Sequence, residues 1–169
     1  RSDNRVDYFI ANSKNVAAKI KNLYGRDAAV IYPPVDVERF NLHPDVQTYY
    51  LIVSALVPYK RVDIAIEAFN RLRLPLKIVG DGPLRTRLRK IAEPNIEFLG
   101  WVNDPNLAGL YARCQALVFP GEEDFGIVPL EAQASGRPVI AYGRGGALET
   151  VVSLEAENAS AATGMFFSE

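Results

Sequence analysis

The sequence is poor in residues that bind metals or form disulfides. Its 169 residues include one cysteine, Cys114, and one histidine, His43. A single cysteine excludes an internal disulfide, and the two residues together are too few for a structural zinc site. Sparse cysteine is typical of a reducing compartment, so we expect a cytoplasmic protein with Cys114 in its core and His43 in a loop.

Long apolar runs and long runs of one charge are also absent. No apolar run reaches the roughly 20 residues that a transmembrane helix requires. Lysine and arginine number 19 against 20 acidic residues, which gives a net charge of −1. Because a nucleic-acid-binding surface needs a basic excess, we do not expect nucleic acid as a partner.

What the sequence does contain is an alternation of short apolar runs with amphipathic segments. The runs "YYLIVSA", "LKIVG", "IEFLG", "ALVFP", "PVIAY" and "GMFF" predict strands, and segments such as "VDIAIEAFNRL" and "GIVPLEAQAS" between them predict helices. Continuously apolar strands are typical of a parallel sheet covered on both faces. The sequence therefore predicts an α/β fold, a doubly wound Rossmann-like parallel sheet.

In such sheets, ligands bind at the carboxyl ends of the strands. This rule directs attention to five loops, those that follow Val53, Val79, Leu99, Phe119 and Ala141.

The first 45 residues do not follow this rhythm. "DYFIAN" predicts a strand, Ser13 is a candidate cap for a helix that runs through Tyr24, and Gly25 would end that helix. Within the helix, Val16, Ile20 and Leu23 have the spacing of a core-facing stripe. Because the chain begins with Arg1 and not methionine, we expect a domain excised from a larger protein.

Two acidic residues in the segment "GEEDFGIVPLEAQASGRPVIAYGRGG" are candidates for chemistry. Glu123 and Glu131 are eight residues apart, a separation of about 12 Å if both lie on one helix. Glycosidase carboxylates lie about 5–9.5 Å apart, so hydrolysis is disfavoured. The better interpretation is two carboxylates that bind separate hydroxyl groups of one extended ligand, and the alternative for Glu131 is an exposed helix residue.

Two other loops carry further candidates. Lys60 and Arg61 follow the first strand of the main sheet, where cations can stabilise a phosphate leaving group, although a pair of solvated charges is the alternative. Gly80 and Gly82 flank Asp81 before a predicted helix. Their backbone could approach phosphate or hydroxyl oxygens, but a plain tight turn is the favoured interpretation of this motif alone.

Taken together and in order, these motifs resemble the C-terminal, donor-binding domain of the family-4 retaining glycosyltransferases of the GT-B fold. The resemblance covers about Tyr49 to Val152 and rests on "SALVPYKRVDIAIEAF", "LKIVGDGPL", "NIEFLGWV", "LAGLYARCQALVFP", "EEDFGIVPLEAQASGRPVIA" and "GGALETV". It implies that residues 1–45 are the end of an acceptor domain with the interdomain crossover. Residues 46–169 would then be a C-terminally incomplete donor domain.

The resemblance also implies roles for individual residues. Glu123 would bind hydroxyl groups of the donor sugar, Glu131 the two ribose hydroxyl groups, and Lys60 the diphosphate. Backbone groups would complete the donor site at Phe125, Gly126, Ile127 and Val128 for sugar and diphosphate, and at Gly80, Gly82 and Val102 for the nucleoside. Many family members carry an arginine at the position of Ala55, so Arg61 would replace it or Lys60 would act with helix amides alone.

The implied activity is transfer of a hexose from a nucleotide-diphosphate sugar, with retention of configuration. "SALVPYKRVDIAI" is most similar to mannosyltransferases of polysaccharide synthesis, which implies GDP-mannose as donor and a saccharide or lipid-linked saccharide as acceptor. No Asp-x-Asp motif is present, and we expect neither a metal nor a cofactor. The alternatives are a non-catalytic module that binds nucleotide sugars and a nucleotide-sugar epimerase, and the fragment alone is expected to be inactive.

Two features outside these motifs have simpler interpretations. Trp101 follows "FLG" and is expected to pack in the core or at its rim, with stacking near a nucleotide base as the alternative. The basic cluster of one predicted helix is expected to be a solvated face, with contact to the inner face of an anionic membrane as the alternative; its members are Arg85, Arg87, Arg89 and Lys90.

Overall fold

In the computed structural model, which describes residues 5–155 and 159–168, the chain forms two parallel sheets. The smaller sheet pairs β1 (Phe9–Ala11) with β2 (Ala28–Val30), and α1 (Lys14–Tyr24) connects them. The strands of the larger sheet are β3 (Tyr50–Val53), β4 (Leu76–Val79), β5 (Ile96–Gly100), β6 (Leu117–Phe119), β7 (Val139–Tyr142) and β8 (Gly164–Phe167). Its helices are α2 (Val62–Leu72), α3 (Arg85–Ile91), α4 (Asp104–Arg113), α5 (Ile127–Ala134) and α6 (Ala147–Thr150).

The strand order of the larger sheet, β5-β4-β3-β6-β7-β8, places its topological switch between β3 and β6. The chain first winds outward from β3 to β5, then returns to β6 and winds outward on the other side. Leu51 of β3 pairs in parallel with Leu117 of β6. The loops after these two strands therefore leave the sheet side by side, at the crevice where doubly wound folds bind ligands.

The central strands of the larger sheet are buried on both faces, as their apolar runs predict, whereas the edge strands β5 and β8 are partly exposed. Neighbouring residues of a strand point to opposite faces, and Leu51 and Ile52 are both almost completely buried. Leu51 packs in a cluster with Leu117 and Val139 on one face, and Ile52 packs with Ile66 on the other. Two apolar layers thus hold the sheet between helices, and the predicted α/β fold is confirmed.

The local signals at helix ends are mostly confirmed. The Ser13 hydroxyl accepts a 3.0 Å hydrogen bond from the Val16 amide at the start of α1, and Gly25 ends that helix with φ of +69°. Both residues act as predicted, because a hydroxyl satisfies a free amide and glycine tolerates the left-handed backbone. Cys114 is fully buried, and burial raises its pKa to about 12, so its thiol stays protonated.

Three predictions about single residues are wrong. Trp101 does not pack into the core or its rim, because 80% of it is exposed after β5. Leu23 does not face a core, since it is 69% exposed on α1, a helix with no fully buried residue. The segment "DPNLAGLYARC" predicts Asp104 as the helix cap, but the cap of α4 is Asn103, whose side chain accepts from the Asn106 amide at 3.1 Å, and Asp104 is the first helical residue.

Among residues 5–155 and 159–168, no helix combines the length and the hydropathy of a transmembrane segment.

Candidate functional site

Lys60 lies in a short 3-10 turn, Pro58–Lys60, between β3 and α2. The loop after β6 packs against the backbone of this turn at Gly121. A Cβ atom on Gly121 would lie 2.7 Å from the Cα atom of Lys60, closer than real Cβ contacts allow. Glycine at this position therefore permits the two loops of the switch point to meet.

The meeting of these loops joins Lys60 and Glu123 in an ion pair. The Lys60 side chain is 16% exposed and that of Glu123 is 23% exposed, so water screens the pair only weakly. Burial lowers the pKa of Lys60 from its ordinary value of 10.5. The site thus presents a sheltered positive charge beside a carboxylate.

The backbone of Glu123 is held by the "GRGG" turn after β7. Gly145 pairs with Glu123 in an isolated parallel bridge, and the Gly146 amide donates to the Glu123 carbonyl at 2.7 Å. A Cβ atom on Gly146 would collide with the backbone of Phe125. The double glycine therefore supports the acidic loop.

Lys60 and Glu123 line a cleft of about 310 Å³ together with the amino end of α5. Gly126 precedes α5 with φ of +89°, and no side chain of the described residues caps the helix there. The first amides of α5, at Ile127 and Val128, are thus available to oxygen atoms of a ligand. The cleft is lined by Asn12, Pro33, Lys60, Phe119, Glu123, Asp124, Phe125, Gly126, Ile127 and Val128.

Glu131 lies on α5 one turn beyond Val128, on the same side of the helix, and is not among the residues that line this cleft. Its side chain is not the exposed group of the alternative interpretation. Glu131 is half-buried, and its Oε2 atom accepts a 2.7 Å hydrogen bond from the hydroxyl group of Tyr111 on α4. The structure thus places Glu123 in the loop before α5 and directs Glu131, which lies within α5, toward α4.

The other predicted residues do not line this cleft. Arg61 adopts the left-handed backbone conformation, with φ of +48°. Its side chain pairs with Asp63 at 3.6 Å and lines a separate concavity with Pro58 and Glu67. Val102 is half-buried against the core.

Gly80 and Gly82 have a packing reason to be glycine. A Cβ atom on Gly80 would collide with the Ser54 carbonyl group, and one on Gly82 would lie 2.6 Å from the Leu56 carbonyl oxygen. The motif therefore brings the loop after β4 against the loop after β3, which supports the favoured interpretation of a tight turn. Whether these backbones also border a nucleoside stays a prediction.

Contacts between α1 and the acidic loop were missed by sequence reasoning. The Ser13 hydroxyl donates to the Asp124 carbonyl at 2.6 Å, and Lys19 pairs with the Asp124 carboxylate at 2.9 Å. Ser13 was recognised only as a helix cap, and nothing in its local sequence indicates a partner 111 positions away.

Glu149 of α6 binds the amino end of the same helix, α1. Its carboxylate accepts from the Lys14 and Asn15 amides at 2.9 and 2.8 Å, and from the Tyr32 hydroxyl at 3.1 Å. Burial alone would raise the pKa of Glu149, but these hydrogen bonds outweigh it and lower the pKa from its ordinary 4.5. The carboxylate thus replaces water at the amino end of α1.

A protein-family model described as glycosyl transferases group 1 matches residues 36–167 of this chain. This chain belongs to that family. The matched range contains the larger sheet and both loops of the switch point. The group 1 chain therefore carries its lysine–glutamate pair within the range that matches the family model, at the crevice between β3 and β6.

Curated relatives of this group 1 chain include sugar transferases. It is 32% identical over 153 residues to the O-antigen chain mannosyltransferase C of Escherichia coli, covering 80% of this chain and 41% of that protein. It is 32% identical over 171 residues to a GDP-mannose-dependent alpha-(1-6)-phosphatidylinositol monomannoside mannosyltransferase of Mycobacterium tuberculosis, covering 82% and 44%. The chain thus spans less than half the length of these relatives.

Solved structures share the fold of the group 1 chain. The Anabaena protein HepE in complex with UDP and glucose superposes with a TM-score of 0.84 at 23% identity, over 99% of this chain and 50% of that one. Sucrose-phosphate synthase from Thermosynechococcus elongatus superposes with a TM-score of 0.81 at 23% identity, over 96% and 45%. At this identity the likeness shows the GT-B type of fold and does not extend to the ligand.

Proposed function

We propose that this chain is the donor-binding half of a retaining glycosyltransferase, which transfers mannose from GDP-mannose to a saccharide or lipid-linked saccharide. One observation carries the proposal: Lys60 and Glu123 are in contact at the switch point, beside the uncapped amino end of α5. A cation, a carboxylate and free amides in one cleft match the diphosphate and the hydroxyl groups of a nucleotide sugar.

In this proposal, Lys60 and the amides of Ile127 and Val128 stabilise the negative charge that grows on the leaving diphosphate. A sheltered charge does this more effectively than an exposed one, because weak screening strengthens its interaction. Glu123 binds hydroxyl groups of the sugar, and Glu131 binds those of the ribose. Since Arg61 lines another concavity, we propose that Lys60 acts with the helix amides in place of a second cation or a metal.

The choice of mannose and of the guanine base is supported by the names of two relatives, one a mannosyltransferase and the other GDP-mannose-dependent. The complex of HepE with UDP and glucose is the competing precedent. We assign residues 1–45 to the acceptor side and residues 46–169 to the donor side. On this division the chain alone binds donor and transfers little sugar.

Calorimetric titration of the protein with GDP-, UDP- and ADP-sugars tests the donor. We expect GDP-mannose to bind at least 10-fold more tightly than the UDP- and ADP-sugars. Binding of UDP-glucose in preference to GDP-mannose would refute the donor while leaving the site intact. Failure of all of them to bind would refute the site itself.

Glu123→Ala, made in the polypeptide that carries both halves, tests the reaction. We expect loss of sugar transfer with GDP affinity close to that of the unmodified protein. If Glu123→Ala changes neither sugar transfer nor GDP affinity, a non-catalytic binding module is favoured. Formation of an epimerised nucleotide sugar without any acceptor would favour an epimerase.

A further inference from the structure

Tyr111 is the largest fully buried side chain of the described residues, and its hydroxyl group reaches a carboxylate. The ring packs edge-on against Phe40, with ring centres 5.7 Å apart. The hydroxyl group donates to Oε2 of Glu131 at 2.7 Å, which is short and typical of a hydrogen bond to a charged acceptor. An apolar core thus contains one polar link between α4 and α5.

In the hydrogen bond between Tyr111 and Glu131, the tyrosine hydroxyl group is always the donor. Burial and the neighbouring Glu131 carboxylate both raise the pKa of Tyr111 far above its ordinary value, so the phenol stays neutral and always donates. Within residues 5–155 and 159–168, the Glu131 carboxylate forms no ion pair, and its other oxygen, Oε1, accepts no hydrogen bond. One oxygen is therefore held and the other is available as an acceptor.

The position of Glu131 on α5 is a second reason to expect that its carboxylate binds a ligand. Glu131 follows Ile127 by four residues and Val128 by three, so it continues the side of the helix that lines the cleft. A glutamate side chain has three rotatable bonds and loses conformational entropy when a ligand immobilises it. A residue that fixes the carboxylate in advance removes part of that cost from ligand binding.

We infer that Tyr111 is a positioning residue, which holds Glu131 through Oε2 so that Oε1 can accept hydrogen bonds from a ribose diol. This inference rests on the proposed function, in which Glu131 binds the ribose of the nucleotide. It adds a buried residue that does not touch the ligand but determines how well the carboxylate recognises it.

The test compares ligands with and without the ribose hydroxyl groups. Tyr111→Phe keeps the ring and its packing on Phe40 and removes only the hydroxyl group. We expect it to weaken GDP binding about 2- to 10-fold, the range for one immobilised side chain, and to leave 2′,3′-dideoxy-GDP binding unchanged. Both affinities are measured by calorimetry, with UDP and its dideoxy analogue used if GDP does not bind.

A matched control is available at a residue that contacts the same helix, α4. Tyr49 is also buried, and its hydroxyl group donates to the Leu110 carbonyl at 2.8 Å, away from any carboxylate. Tyr49→Phe removes an equivalent buried hydroxyl group, so it should lower stability without changing the preference for GDP over its dideoxy analogue.

The outcomes separate the inference from the function on which it rests. Equal weakening of both ligands by Tyr111→Phe, or no weakening of either, overturns the positioning role. Glu131→Gln reports on the function: it should reduce the preference for GDP over dideoxy-GDP. If Glu131→Gln leaves that preference intact, or if neither nucleotide binds, the ribose assignment fails and the inference fails with it.

Discussion

The ion pair between Lys60 and Glu123 should contribute measurably to stability, in contrast to most surface pairs. Lys60→Met removes the charge while keeping an unbranched side chain, and Glu123→Gln keeps the shape of the carboxylate. Two unit charges about 4 Å apart attract by about 4 kcal/mol at an effective dielectric constant of about 20. Desolvation of the two groups offsets part of this, so we expect a coupling free energy of about 1–3 kcal/mol.

Urea unfolding of the unmodified protein, the two single variants and the double variant gives this coupling as a double-mutant cycle. The stability losses of the two single variants should add up to more than the loss in the double variant, because each single variant leaves one sheltered charge without its partner. The pair Lys77–Glu97 is the matched control. Its atoms are 4.0 Å apart and Glu97 is 61% exposed, so its coupling should stay below about 0.5 kcal/mol.

A coupling at Lys60 and Glu123 no larger than that of the control would refute the reasoning, because it would mean that water screens the cleft. A ligand adds a second check. Since a diphosphate competes with Glu123 for Lys60, Glu123→Gln should bind GDP at least as tightly as the unmodified protein. A large loss of GDP affinity in this variant would show that the carboxylate does not compete for the ammonium.

Three further predictions concern residues that support the cleft, and two of them include a control variant. Gly121→Ala should cost about 1–3 kcal/mol of unfolding free energy by urea titration, since its Cβ meets backbone, whereas Gly109→Ala in α4, where no atom lies within 4 Å, should stabilise by about 0.5–1 kcal/mol. Equal effects would contradict the close approach. Glu149→Gln should cost about 1 kcal/mol at pH 7. Because the folded pKa of Glu149 is lowered, this difference should vanish as the pH falls below 4.5 in acid titrations, and a constant difference would disprove the carboxylate's role. Ser13→Ala should lower the midpoint of thermal unfolding more than Asn103→Ala, because Asn103 caps one helix and Ser13 also holds the acidic loop, and equal shifts would argue against that second contact.

The fold could be predicted from the sequence because its signal is local and repeated. Six apolar runs at regular intervals already require a covered parallel sheet, since each strand must bury both faces. The helix signals are equally local: Ser13 caps α1 and Gly25 ends it with atoms a few residues apart. Predictions failed where a local pattern is compatible with either a buried or an exposed side chain. Leu23 and Trp101 are apolar but remain exposed.

For the candidate site, the sequence predicts some of its residues but not their contacts. The motifs, and the rule that ligands bind at the carboxyl ends of parallel strands, predict Glu123, Lys60 and the start of α5, and the structure brings them to one cleft. Arg61 was included because it is adjacent to Lys60. In the structure Arg61 pairs with Asp63 and lines a separate concavity, and its adjacency in sequence contains no information on either contact.

By itself, the sequence determined a doubly wound sheet and the loops at which a ligand would bind, because periodicity and turn residues act over a few positions. Only the tertiary structure decided which side chains meet. Lys60 contacts Glu123 because β3 and β6 are neighbours in the sheet, and Glu131 is held by Tyr111 because α4 packs on α5. Such contacts depend on strand order and helix packing, which join residues that no local pattern connects.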